Sequence, residues 1–416
     1  MIIKNRKVII LLCFIYILLI LNREIKLLIN YINIEINNVD DFINKLNKYS
    51  IYRESKYILL FDYFDSPVCE DYNAFTIFEY YRNKNICDAY YILNLGTELY
   101  KNLLMKNKTK NIIPYENNQS LSNLFPFLLN SKIIVQSYAS VDFQQIVSRV
   151  NFIKFLYICH AVNYFKKDII RLQIRAVSKS KQNIILTSPY EYKFYKKLKL
   201  YKENSMHKGG LARYDRLKHV KKNEKEKDCI LISFTYRSFK NSVYEQSLFK
   251  KNAIKLLNDK SLNSFLTKKN IEVVFIQHHH DVRRGREIDK NFIFPIKSIK
   301  QKFLSYYIEQ CSLFITDFSS ISFDFMFQNK PVLFYHLDIN DKIHFKEKSY
   351  MKIDKKNSIY YNNIFSRHLD VVNKIKYYVN RNFTLEKGLE KKYKTLFYYK
   401  SNITQKIVEI INNIIN

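Results

Sequence analysis

LFITDFSSISFDFMFQNKPVLFYH, residues 313 to 336, reads as one β-α-β unit. A short apolar strand, LFITD, is followed by Phe318, Ser319 and Ser320, then by a helical run with Ile321, Phe323, Asp324 and Phe327. A second apolar strand begins at Pro331. Asp317 or a serine is suited to cap that helix, and its free N–H groups with the positive dipole end form an anion site. Thr316, Ser319 and Ser320 would add hydroxyl donors for phosphate oxygens, and Asp324 would accept from a sugar or base hydroxyl. A plain capped helix accounts for the same residues, so the motif has to be weighed with its surroundings.

Outward from this unit, short β-prone runs alternate with longer amphipathic ones. YILLF (57–61), AYYILNL (89–95), KIIVQS (132–137), FIKFLYICHA (152–161) and NIILTS (183–188) lie in the first half. CILISFT (229–235), IEVVFIQH (271–278), LFITD (313–317) and PVLFYH (331–336) lie in the second. Such alternation predicts parallel strands with crossover helices. Between the halves, KHVKKNEKEKD (218–228) is a charged run without apolar periodicity, as a linker would be. The expected class is α/β, with two doubly wound units whose ligands sit beyond the carboxyl ends of the strands. The division expected is an N-terminal apolar segment (1–36), an acceptor domain (37–217), the linker (218–228), a nucleotide-binding domain (229–380) and C-terminal helices (381–416) that pack back on the first domain.

The chain has 416 residues, 47% of them hydrophobic, with only 5 Gly and 6 Pro, which excludes a disordered or collagen-like chain. Its net charge of +31, from 69 Lys and Arg against 38 Asp and Glu, calls for an anionic partner. Neither zinc-finger spacing nor RRM aromatic signature is present, so nucleic acid is not the expected one. GxGxxG and GxxxxGKS are absent too, which argues against a dinucleotide oxidoreductase or a P-loop ATPase. The six cysteines stand singly, mostly in apolar runs, and read as reduced packing residues of a cytosolic fold.

At the N-terminus, Lys4, Arg6 and Lys7 precede VIILLCFIYILLILN (8–22), an uncharged stretch without a small-residue cleavage site. It is short of the ~20 residues of a spanning helix. The expectation is an uncleaved membrane-associated segment, inserted shallowly, that keeps the folded part on the cytoplasmic face of a bacterial cell membrane.

Further chemistry-bearing residues stand at strand ends. FIQHHHDV (275–282) carries three histidines; read as strand, His278 and His280 share one face and His279 takes the other, which suits phosphate contacts better than a single metal. His160 ends another strand, where it reads as a general base or as a hydrogen-bonded structural residue; Lys166 and Lys167 follow it, to hold an anionic acceptor or to stand solvated. HKGGLARYDRL (207–217) contributes Arg213 and ISFTYRS (232–238) contributes Arg237, both suited to bidentate phosphate contacts. A D-x-D triplet for a metal diphosphate is absent, so metal independence is expected.

Together these segments resemble the CDP-glycerol glycerophosphotransferase family, the teichoic-acid primases and polymerases, in the family's own order. His160 matches the HG motif, Gly210 to Asp215 the G-x-x-R-x-D, Ser233 to Arg237 the A-P-T-W-R, His279 the H-P, and Thr316 to Asp324 the T-D-Y-S-S-x-x-F-D. Ala161 stands in place of the family's Gly, and His280 in place of its Pro. The resemblance implies a GT-B fold with two domains facing across a cleft. It implies a transferase that moves glycerol phosphate, or ribitol phosphate, from a CDP-activated donor to a hydroxyl of an anionic polymer or a lipid-linked acceptor in teichoic-acid or capsule synthesis. His160 would be the base and His279 the second catalytic residue, holding the diphosphate with Arg237, Ser319 and Ser320, beside His278. The competing readings are a GT-B glycosyltransferase using a nucleotide sugar and a non-catalytic basic module for lipid or nucleic acid.

Overall fold

Two all-parallel sheets organise the chain in a computed structural model. The structure describes residues 38–62, 73–86, 88–115, 121–137, 146, 149–159, 161–162, 182–199, 201–217, 228–237, 240–286, 288, 292–299, 304–338 and 363–416. The first sheet is built from β1 (Tyr57–Phe61), β2 (Ala89–Asn94), β3 (Ile112–Tyr115), β4 (Ser131–Gln136), β5 (Lys154–Ile158), β6 (Gln182–Leu186) and β7 (Met206–Lys208), in the order β3-β2-β1-β4-β5-β6-β7. The second contains β8 (Cys229–Ile232), β9 (Glu272–Ile276), β10 (Lys297–Ile299), β11 (Leu313–Thr316), β12 (Val332–Tyr335) and β13 (Ile364–Phe365), in the order β10-β9-β8-β11-β12-β13.

In each sheet the winding reverses once. The reversal falls between β1 and β4 in the first and between β8 and β11 in the second. Where the order reverses, the crossover connections leave in opposite directions and open a crevice at the carboxyl ends. The strands suit burial on both faces: β8, β11 and β12 are buried along their whole length, as parallel strands under helices must be. Their helices begin on conventional caps. Asn38 accepts from Asp41 N, Ser188 from Glu191 N with Pro189 in the first turn, and Ser247 from Lys250 N.

The last helix, Ile403–Ile415, belongs to the first sheet although it ends the chain. It packs on the Asn73–Asn83 helix, on Tyr214–Leu217 and on β4 and β5, burying Ile403, Ile407, Val408 and Ile411. Both ends are anchored. Asp215 accepts from Ile403 N at 3.0 Å and Thr404 N at 2.7 Å, and Lys154 donates to the carbonyls of Ile414 and Ile415. These are the groups a helix leaves unpaired, each matched to the charge its dipole favours. Gly210 permits the close approach: a Cβ there would lie 2.8 Å from Ile403 Cγ2. One buried cluster runs from the first sheet through this helix to Phe323, Phe325 and Phe327 of the second half, where Tyr214 stacks on Phe327 at 4.3 Å.

Two sequence expectations are corrected here. Among the described residues no helix is long and apolar enough to cross a membrane, so the fold is two parallel sheets with their helices and the membrane segment is no part of the described architecture. The stretch 8–22 on which that reading was based lies outside the described residues, as does the charged run 218–227. The cysteines are not all single: Cys229 at the start of β8 and Cys311 just before β11 form a disulfide, with Cα atoms 4.6 Å apart. Neighbouring parallel strands bring them together across a sequence separation of 82. Cys159 is free and buried.

Candidate functional site

The crevice of the second sheet is where the carboxyl ends of β8 and β11 part. Ser233 N still donates to Ile315 O, at 3.1 Å, and beyond that bond the strands run into the segments Ser233–Arg237 and Asp317–Ser320. Asp317 ties the two segments together. Its Oδ1 accepts from Thr235 N at 2.8 Å and Phe318 N at 2.6 Å, and its Oδ2 lies 2.7 Å from Arg237 Nη2.

Arg237 is enclosed. Its Nε and Nη2 donate to Asp338 at 2.7 and 3.0 Å, its Nη1 donates to Thr235 O at 2.8 Å, and its guanidinium sits 4.4 Å over the Phe249 ring. A guanidinium shared by two buried carboxylates satisfies the condition under which burying an ion pair is tolerated, namely hydrogen bonds to its remaining donors. The expected bidentate contact of Arg237 to phosphate is therefore revised. Its donors are engaged by Asp317, Asp338 and Thr235 O, and it braces the wall of the crevice.

The hydroxyl groups expected there are arranged differently from one another. Thr316 ends β11, and its Oγ1 is buried without a hydrogen-bond partner among the described residues. Such an orphan is the kind of atom a ligand or water satisfies. Ser319 Oγ accepts from Ile321 N at 3.3 Å, and its carbonyl accepts from Ser322 Oγ at 2.7 Å. Ser320 is the N-cap of the Ile321–Phe327 helix, yet its side chain makes no cap bond. The helix is held by backbone geometry and Ser319, so the Ser320 hydroxyl is not committed to it. Phe318 stacks on His336, at the end of β12, with centroids 4.4 Å apart.

The histidine segment corrects a strand reading. β9 stops at Ile276, and His279 opens a short helix, His279–Arg283, with His278 as its N-cap. His278 Nδ1 accepts from His280 N at 3.3 Å, and the two rings stack at 5.3 Å, so they do share a side, by helix-start geometry rather than by strand alternation. Tyr236 lies against both, at 5.7 and 5.2 Å, with Arg284 over its ring. The His279 side chain lies outside what the structure describes. The segment is fixed by residues that the sequence reading passed over: buried Arg286 donates to Arg237 O at 2.8 Å and to Asp281 at 3.2 Å. Burial pushes the Asp281 carboxyl up to about 6 despite Arg286 beside it. The signal was present in the charges of DVRRGRE, 281 to 287, which three adjacent histidines overshadowed.

Arg213 and Asp324 were expected to meet separate ligands and instead meet each other. Arg213 Nη2 donates to Asp324 Oδ1 at 2.8 Å and Oδ2 at 3.0 Å, and both residues are buried. With both carboxylate oxygens engaged and the guanidinium neutralised, neither is placed as an open ligand contact. The pair joins the segment after β7 to the helix that follows β11. The rest of the GLARYD motif serves the same joint, through Gly210 against Ile403 and Asp215 on the start of the last helix.

On the first sheet, β5 ends at Ile158 and Cys159 is buried beyond it. His160, Lys166 and Lys167 lie outside the described residues. Among the described residues no group of three or more His, Cys, Asp or Glu is placed to hold a metal ion.

Comparison with known proteins gives this geometry a context. Residues 49–413 match the family model described as CDP-Glycerol:Poly(glycerophosphate) glycerophosphotransferase. The minor teichoic acid biosynthesis protein GgaB of Bacillus subtilis (strain 168) is 27% identical over 383 residues, covering 82% of this chain and 39% of GgaB. The chain thus spans about two fifths of the length of this curated relative. Among solved structures, the wall teichoic acid polymerase TagF superposes with a TM-score of 0.63 at 14% identity, over 95% of this chain and 98% of that one. S. aureus MnaA, in a co-structure with UDP, gives a TM-score of 0.56 at 11% identity, over 86% and 96%. At these identities the structural likeness shows the fold: an α/β, GT-B-like pair of parallel sheets.

Proposed function

This chain belongs to the CDP-glycerol:poly(glycerophosphate) glycerophosphotransferase family, and from that premise we propose that it transfers glycerol phosphate from CDP-glycerol to a hydroxyl of an anionic, teichoic-acid-like polymer or its lipid-linked precursor, releasing CMP. The observation that carries the reading is the crevice between β8 and β11. A buried, unpartnered Thr316 hydroxyl, the uncommitted Ser320 and the start of a helix occur together at a topological switch point.

In this reading the donor diphosphate lies against Thr316, Ser319 and Ser320, with His278 and His279 supplying further donors. His160 takes the proton from the acceptor hydroxyl, whose oxygen attacks the β-phosphorus; the bond to the bridging oxygen breaks, and CMP leaves with the electron pair. Charge developing on the leaving phosphate would be met by hydroxyl, imidazole and backbone donors, the electrostatic contribution on which phosphoryl transfer relies. Lys166 and Lys167 serve the acceptor. Arg237, Arg213 and Asp324 act on positions rather than on ligand. No metal is assigned a role, and activity should persist with a chelator.

The excess of positive charge suits a polyanionic acceptor and the anionic cytoplasmic face of a bacterial cell membrane, to which the protein would attach electrostatically. Capsule synthesis would use the same chemistry. Purified protein incubated with labelled CDP-glycerol, CDP-ribitol and UDP-sugars tests the reading: polymer labelled from CDP-glycerol supports it, and polymer labelled only from a UDP-sugar overturns it.

A further inference from the structure

The start of the Asn73–Asn83 helix is a buried hydrogen-bonding junction at the carboxyl edge of the first sheet, beside the point where its winding reverses. Asp62, just past β1, accepts from Ala74 N at 2.8 Å, Phe75 N at 2.9 Å and Tyr91 Oη at 2.8 Å, and from Ser137 Oγ just past β4. It fixes the helix start to three adjacent strands. Asn73, fully buried, then reaches away from them: its Oδ1 accepts from Arg213 N at 3.2 Å, and its Nδ2 donates to Cys159 O, just past β5, at 3.5 Å. Arg213 continues to Asp324 at 2.8 Å. Asn73, Arg213 and Asp324 thus bond in series from the edge of the first sheet to the helix that follows Thr316–Ser320 in the second.

We infer that Asn73 is a positioning residue for group transfer: it holds the end of β5, on the acceptor side, in register with the donor-side helix through Arg213 and Asp324. The inference rests on the transferase reading. The choice of side chain supports it. A site that needed only volume would accept Leu, whereas a carboxamide both donates and accepts, and here each half meets a backbone group of a different segment. Each link is buried, so solvent does not compete for it, and an amide lost from such a place removes the bonds that tie Arg213 N and Cys159 O to one side chain. Attack on phosphorus tolerates little error in alignment, and a displacement of about 1 Å costs on the order of 100-fold in rate.

The test compares wild type with Asn73→Ala, Asn73→Asp and Asp324→Asn, measuring equilibrium binding of CDP-glycerol, kcat for glycerol phosphate transfer and the thermal midpoint. The expected result is a kcat lower by about 10- to 100-fold per molecule competent to bind donor, with donor affinity at the wild-type level. Asn73→Asp, which keeps the acceptor and loses the donor, should share the kcat loss. A lowered midpoint with unchanged kcat per competent molecule assigns Asn73 to folding alone and overturns the inference. Should Asn73→Ala fail to fold, Asn73→Asp decides the same question, because it keeps the shape and the acceptor at position 73 and loses only the donor. A wild type that transfers nothing from CDP-glycerol overturns the transferase reading and this inference together; a wild type that transfers, beside undiminished variants, overturns this inference only.

Discussion

Arg213 Nη2 lies 2.8 and 3.0 Å from the two carboxylate oxygens of Asp324, although 111 residues separate them and each stands in a different half of the chain. Side-chain exposure is 7% for Arg213 and 4% for Asp324, so the charges depend on each other rather than on water. Removing one partner takes from the other, still buried, its ion-pair partner, which costs about 3–5 kcal/mol. Arg213→Ala and Asp324→Ala should each lose that much in denaturant unfolding, and the double replacement Arg213→Met/Asp324→Leu should lose less than either. Additive losses would show that the two do not act as a pair.

Arg237 makes a sharper case, because one guanidinium serves two carboxylates. In Arg237→Lys the charge stays but the planar fork is lost, so Asp317 and Asp338 cannot both be satisfied. A cost of about 1–3 kcal/mol is expected. Because Asp317 also holds Thr235 N and Phe318 N, the crevice should loosen and CDP-glycerol bind more weakly. Calorimetric titration with CDP-glycerol checks this; unchanged donor affinity in a destabilised variant would separate the brace from the site.

Gly210 bears on the anchoring of the last helix. A Cβ would enter within 2.8 Å of Ile403 Cγ2, so Gly210→Ala should overpack the joint and cost about 1–3 kcal/mol. In Gly210→Ala/Ile403→Ala the clash is gone, and the double variant should lose less than the sum of the singles in thermal unfolding.

Much of this architecture was legible in the sequence, for a physical reason. Parallel strands covered on both faces must be apolar almost throughout, so runs such as YILLF, CILIS and PVLFY announce themselves, and their alternation with helical segments implies the winding. Strand ends follow directly, and with them the neighbourhood of Thr316, Ser319 and His278. Partners did not follow. Arg213 and Arg237 look alike in sequence, as arginines beside strand ends, and only the fold reveals that Asp324, Asp317 and Asp338 reach them first. Cys229 and Cys311 read as separate packing residues because their pairing comes from strands that are neighbours only in space. The histidines were misplaced by one element, since no sequence feature marks that β9 ends at Ile276 rather than running on.

Lys400 provides a pH test of the joint between the halves. Its Nζ donates to Phe327 O at 3.1 Å and lies over the rings of Phe327 and Phe397, and burial, aided by nearby Lys394, lowers its pKa to about 8. Between about 8 and the usual lysine value near 10.4 the unfolded chain holds a proton that the folded protein has released. Stability from this residue therefore rises as pH increases through that window, and below it the full cost of the buried charge is present. The thermal midpoint of wild type relative to Lys400→Met should climb between about pH 8 and about pH 10. A flat difference would mean that Lys400 titrates as an exposed amine.

The transfer itself is tested most directly by stoichiometry. Phosphorus NMR on purified protein with CDP-glycerol and a poly(glycerol phosphate) primer should show one CMP appearing for each new phosphodiester, with a chelator making no difference. CMP appearing without new diester, or diester formation that requires a UDP-sugar, would contradict the account.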